Sequence, residues 1–65
     1  MFFVNGRAVP FTEGVTILGY LKANKYKIDR IAIELNGKIL AKSLYDTTVI
    51  QSEDRLEIVC FVGGG

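Results

Sequence analysis

Residues 2–9, "FFVNGRAV", and residues 30–40, "RIAIELNGKIL", carry the same device: an apolar run, an Asn-Gly pair and a second apolar stretch. Asn-Gly supplies the positive φ angles that a two-residue hairpin turn demands, so each stretch predicts two antiparallel strands. In the second, Ile31, Ile33 and Leu35 alternate with Ala32 and Glu34, which gives the strand one apolar face. Pro10 has no N–H to give a strand ladder and is expected to close the first hairpin, after which Glu13-Gly14 turns the chain.

Between the hairpins lies "TILGYLKAN", residues 16–24, the one helical pattern. The Thr16 hydroxyl is placed to accept from an unpaired amide of the first turn, and Ile17, Leu18 and Leu21 form an apolar cluster on one face. Gly19 inside the pattern costs about 1 kcal/mol against alanine, so packing has to hold this helix. Lys22 and Lys25 near its end complement the negative pole of the helix dipole. Further on, "KSLYDTTVI" (42–50) is irregular, with Ser43 expected to cap a short turn that buries Leu44 or Tyr45, and Val49-Ile50 a brief strand or edge. The closing run "EDRLEIVCFV" (53–62) starts on a polar turn and continues as a strand. Alternation puts Leu56, Ile58, Cys60 and Val62 on one face, toward the core, and Arg55, Glu57, Val59 and Phe61 on the other. The order strand, strand, helix, strand, strand, short turn, strand predicts a two-layer α+β domain, a mixed sheet of four to five strands with one main helix packed on one face.

Length and composition narrow the function. At 65 residues the chain is one domain, and folding at this size buries only about 60% of the unfolded surface. Eight Lys and Arg against seven Asp and Glu leave a net charge of +1, too balanced for a protein that relies on neutralising phosphates, so nucleic acid is not the expected partner. No long apolar stretch or basic leader is present, and the expectation is a cytoplasmic protein that does not enter membranes. One cysteine and no histidine exclude an internal disulfide, an imidazole base and a histidine-built metal cage, and with them most enzyme chemistries.

Four features remain as candidates for chemistry. Cys60 is read as a small buried hydrophobe on its strand, not as a relay thiol. Lys22, Lys25, Lys27 and Arg30, interleaved with Tyr20 and Tyr26, are read as a solvated helix end in preference to an RNA-binding patch. Glu53 and Asp54 are read as turn residues. Val59 and Phe61 admit two readings: a partner-docking face, or cover, either under the segment around Tyr45 or by packing on both faces of a covered sheet.

The last stretch, "CFVGGG" (60–65), divides the chain into a folded body, residues 1–62, and a Gly63-Gly64-Gly65 tail. A bare glycine run is most simply a frayed end, yet here it follows a core strand with no polar spacer. Three extended residues reach about 10 Å, enough to thread a terminal carboxylate through a narrow slot that any Cβ would obstruct. That carboxylate is ionised at neutral pH and inert to nucleophiles until it is activated.

With "VNG" after the first strand, "EGVTILGYL" into the helix, "IAIELNG" and the closing "RLEIVCFVGGG", the whole chain resembles the ThiS family of thiamine-biosynthesis sulfur carriers. The resemblance implies a ubiquitin-like β-grasp fold and a protein that is not itself an enzyme and binds no cofactor. It implies that Gly65 is adenylated with ATP by a ThiF-type, E1-like adenylyltransferase, and that a persulfide donor such as a cysteine desulfurase then converts it to a thiocarboxylate. The sulfur would pass to thiazole synthase (ThiG), with Gly63 and Gly64 matching the tail that threads into partner active sites. A small-subunit carrier of molybdopterin synthase, a ubiquitin-like protein modifier and a plain β-grasp interaction module are the alternatives.

Overall fold

The computed structural model describes residues 1–61. Both Asn-Gly pairs form the turns expected of them, with φ values of 50° and 81° at Asn5 and Gly6 and 52° and 84° at Asn36 and Gly37. They join β1 (Phe2–Val4) to β2 (Arg7–Val9) and β3 (Ile31–Leu35) to β4 (Lys38–Leu40). The closing strand, β5 (Arg55–Cys60), enters between the two hairpins. It runs parallel to β1 and antiparallel to β3, and the five-stranded order is β2-β1-β5-β3-β4. This is the mixed, two-layer arrangement of a β-grasp.

The helix α1 (Ile17–Ala23) covers one face of that sheet. Thr16 caps it as the sequence predicts, its Oγ1 accepting from the Gly19 N–H at 3.0 Å. A Cβ at position 19 would stand 3.2 Å from that oxygen, so the glycine leaves room for the cap. The N–H groups of Ile17 and Leu18 donate to the carbonyls of Thr48 (2.9 Å) and Tyr45 (2.8 Å). The irregular segment thus supplies acceptors to amides that every helix start leaves unpaired.

Ile17 and Leu21 of the helix meet Phe2, Val4, Ile31, Ile33, Leu56 and Ile58 of the sheet, and Tyr45 and Ile50 close the core. Phe2 and Tyr20 pack edge to face with ring centroids 5.4 Å apart. Of the two candidates around position 44, Tyr45 is the buried one (2% exposed) and Leu44 lies outward (48%). Burial pushes the Tyr45 phenol above its ordinary value, and a backbone hydrogen bond at Ile33 pulls it part of the way back.

Ser43 is not the cap. The short 3-10 turn Lys42–Leu44 begins after Ala41, so Ser43 falls inside it, and no side chain caps the turn. Val49 makes a lone bridge to Thr16 and is exposed, while Ile50 is buried. Glu53 and Asp54 are turn residues as read: the Asp54 carboxylate accepts from the Gln51 N–H (2.8 Å) and the Asn36 amide (2.9 Å).

Candidate functional site

The site is built at the far end of β5. Leu56 and Ile58 face the helix and are buried, so Arg55, Glu57 and Val59 must face the open side of the sheet. There Val59 lies opposite Ala32, and Glu57 lies directly opposite Glu34. Ile39 of β4 pairs with Glu34 and is 82% exposed, and the Arg55 guanidinium sits 4.7 Å over the Phe3 ring. The open face is therefore a mixed one, with apolar groups around two carboxylates that repel one another.

Val59 and Phe61 are both about half exposed, at 53% and 55%. Of the two readings that the sequence leaves open for them, the structure removes the covered one. Tyr45 instead joins the buried cluster with Ile17, Leu21 and Ile33. Phe61 stands one residue past the strand, where its N–H donates to the Arg30 carbonyl at 2.7 Å and adds one more rung to the β3 side.

Cys60 corrects the sequence reading. Alternation does put it on the helix side, opposite the buried Ile31, yet the thiol is exposed. Two local causes account for this. β1 pairs with β5 only as far as Leu56, and α1 stops at Ala23, so neither flank nor cover reaches position 60. Val62, assigned to the same face, and the tail residues Gly63, Gly64 and Gly65 lie outside the described residues.

Beside Cys60 and Phe61 the segment that leaves the helix folds into a shallow cleft of about 230 Å³, walled by Lys25, Tyr26, Lys27 and Arg30. The sequence reading took these cations for a solvated helix end. The β3–β5 register, with Ile31 opposite Cys60, brings them beside Phe61, a neighbourhood that no run of sequence shows.

A second feature missed in the sequence is the work of the two turn asparagines. Asn5 Oδ1 accepts from the Ile58 N–H (2.7 Å) and its Nδ2 donates to the Ile58 carbonyl (3.2 Å). Its amide so stands in for a next residue of β1. On the other flank Asn36 Oδ1 accepts from the Arg55 N–H at 2.8 Å.

Among the described residues there is no group of three or more His, Cys, Asp or Glu placed to hold a metal ion. No described helix is long and apolar enough to cross a membrane.

Comparison with known proteins agrees with this architecture. The chain matches the ThiS family over residues 2–65. The crystal structure of a thiamine biosynthesis protein (ThiS) from Geobacter metallireducens superposes with a TM-score of 0.78 at 31% identity, covering 98% of this chain and 97% of that one. The protein ycf40 of Porphyra purpurea is 34% identical over 62 residues, 95% of this chain and 87% of its own length. A thiazole synthase of Magnetococcus marinus is 31% identical over 62 residues, and there the chain spans only 19% of the relative's length. With the family matched across nearly all its residues and the five-stranded, one-helix fold in place, the chain belongs to the ThiS family and is a ubiquitin-like sulfur carrier.

Proposed function

We propose that this chain carries sulfur for thiamine biosynthesis on the carboxyl group of Gly65. In this reading a carboxylate oxygen attacks the α-phosphate of ATP in a ThiF-type adenylating enzyme, and pyrophosphate leaves. The terminal sulfur of a persulfide, carried by a donor such as a cysteine desulfurase, then displaces AMP from the acyl-adenylate. Reduction of the resulting acyl disulfide by a thiol releases the thiocarboxylate, which donates its sulfur to thiazole synthase.

The observation that carries the reading is the likeness to a 62-residue stretch of a thiazole synthase: a module of this kind resides in one polypeptide with the enzyme that is to consume the sulfur. Physical chemistry adds a reason for the small folded body. Ordering a glycine tail costs about 1 to 2 kcal/mol per residue, so the tail alone docks poorly. Val59 and Phe61, exposed at its root, are the proposed docking groups, since burying a phenylalanine returns about 1.5 to 3 kcal/mol. Gly63 and Gly64 thread the slot.

The test is ATP–pyrophosphate exchange with the adenylating enzyme. The intact chain should support exchange, and deletion of Gly64 and Gly65 should abolish it. Gly64→Ala should slow exchange without changing thermal stability, because the added methyl meets the slot and not the core. Exchange that survives the deletion would replace this reading with that of an interaction module whose tail is dispensable.

A further inference from the structure

We propose that the cleft walled by Lys25, Lys27 and Arg30 docks an acidic surface of the adenylating enzyme beside the mouth of its tail slot. The proposal rests on the sulfur-carrier reading and adds the chemistry of the partner surface.

Position puts the cleft beside the residues that the enzyme would enclose. Phe61 lines the cleft and is tied by its N–H to the Arg30 carbonyl. Val62 to Gly65 come next, a reach of about 13 to 14 Å if fully extended. An enzyme that encloses those residues brings its own surface close to the cleft.

Charge selects what that surface carries. Half of the chain's eight Lys and Arg fall between positions 22 and 30. The one ion pair among the described residues is that of the N-terminal amine with Glu53, so none of the cleft's cations is paired with a described carboxylate, Asp29 included. Cations brought against a protein surface lose hydration and need opposite charge across the boundary. The other side of β5 carries the facing pair Glu34 and Glu57 further back along the strand, together with Arg55, so the concentrated positive charge lies on the cleft side. At about 230 Å³ and open to solvent, the cleft falls below the usual range of small-molecule sites, about 300 to 1,000 Å³, and suits protein side chains instead.

Lys25 supplies an independent indication. The Tyr26 N–H donates to Leu21 O (2.9 Å) and the Lys25 N–H to Lys22 O (3.1 Å), the paired bonds of a Schellman helix end. In that motif the residue at position 25 takes left-handed backbone, here φ +62°, where glycine is favoured. A lysine at that place gives up the backbone freedom glycine would bring; its charge complements the helix dipole and stays exposed beside Phe61, free to meet a partner as well.

The experiment titrates the full chain against the adenylating enzyme by calorimetry at low and high salt, comparing the wild type with Lys25→Gly and with the triple variant Lys25→Gly, Lys27→Gln, Arg30→Gln. The triple variant should bind about 10- to 100-fold more weakly at low salt, and the gap should close at high salt. Lys25→Gly alone should melt at or above the wild-type temperature while binding more weakly. Equal affinity of variant and wild type, or a salt-independent difference, overturns the proposal; so does a Lys25→Gly chain that melts lower, which would give the lysine a structural role. Competition by homopolymeric RNA at physiological salt, lost in the triple variant, would assign the cleft to phosphate instead and overturn it too. If the triple variant binds normally and both chains support ATP–pyrophosphate exchange, only the docking proposal falls. If the wild type neither binds the enzyme nor supports exchange, the carrier reading falls with it.

Discussion

At its start β5 is held on both flanks. Phe3 and Val4 of β1 lie beside Arg55 and Leu56, and Asn36 bonds the Arg55 backbone from the other side. At its finish β1 has already turned away at Asn5-Gly6, the Asn5 amide extends the ladder only to Ile58, and from Val59 onward β3 alone runs beside the strand. Burial follows the pairing. On the helix-facing side Leu56 and Ile58 are buried, at 2% and 6% exposed, whereas Cys60 on the same side is exposed. One strand therefore does two jobs: its first half closes the core, and its second half presents exposed groups beside β3.

That difference can be broken most forcefully at Leu56. Leu56→Ala should cost about 2 to 5 kcal/mol, measured by denaturant unfolding. A domain of this length holds about 3 to 10 kcal/mol in all, so the variant should sit close to its unfolding threshold. A loss below about 1 kcal/mol would mean that the first half of β5 is not the core element described.

The asparagine clamps sharpen the comparison. Glycine keeps the positive φ that both turns need, so Asn5→Gly and Asn36→Gly remove only the side chain. Asn5, whose two bonds to Ile58 are partly buried, should cost about 1 to 3 kcal/mol, and Asn36, whose bonds are exposed, about 0.5 to 1.5 kcal/mol. The reverse order in equilibrium unfolding would contradict the role given to Asn5.

At the far end, Val59→Ser and Phe61→Ser should each change stability by no more than about 0.5 kcal/mol while weakening association with the adenylating enzyme. A destabilisation of about 2 kcal/mol would show that these side chains belong to the fold. The smallest effect at neutral pH is that of Tyr45. Burial raises its phenol in the folded state above the unfolded value of about 10, so its contribution to stability is complete below that pH and declines as pH rises through the folded value. Tyr45→Phe should flatten the loss of stability seen in alkaline unfolding curves, and an unchanged alkaline limb would contradict the assignment.

The hairpins and the Thr16 cap were legible because each depends on local chemistry: a positive φ supplied by Asn-Gly, and a hydroxyl one residue ahead of an apolar turn. Cys60 was misread because period two tells which side of a sheet a residue faces, not how far the covering layer extends. The Ser43 cap failed for a related reason, since the turn starts two residues earlier, after Ala41, which puts the serine inside it, and of Leu44 and Tyr45 it is Tyr45 that reaches the core. The basic cleft depends on residues 30 and 61 being neighbours, which is a product of strand pairing and not of any run of sequence. For the same reason Val59 and Phe61 could be proposed as docking groups from the sequence, but their exposure could not be read there.

The most direct test is the intact mass of the full chain after incubation with ATP, the adenylating enzyme and a persulfide source. Replacement of a single oxygen by sulfur, mapped by fragmentation to Gly65 and absent when ATP is withheld, is the predicted result. An unchanged mass with partners that thiolate another carrier in the same tube, or sulfur found on Cys60 in place of Gly65, would contradict it.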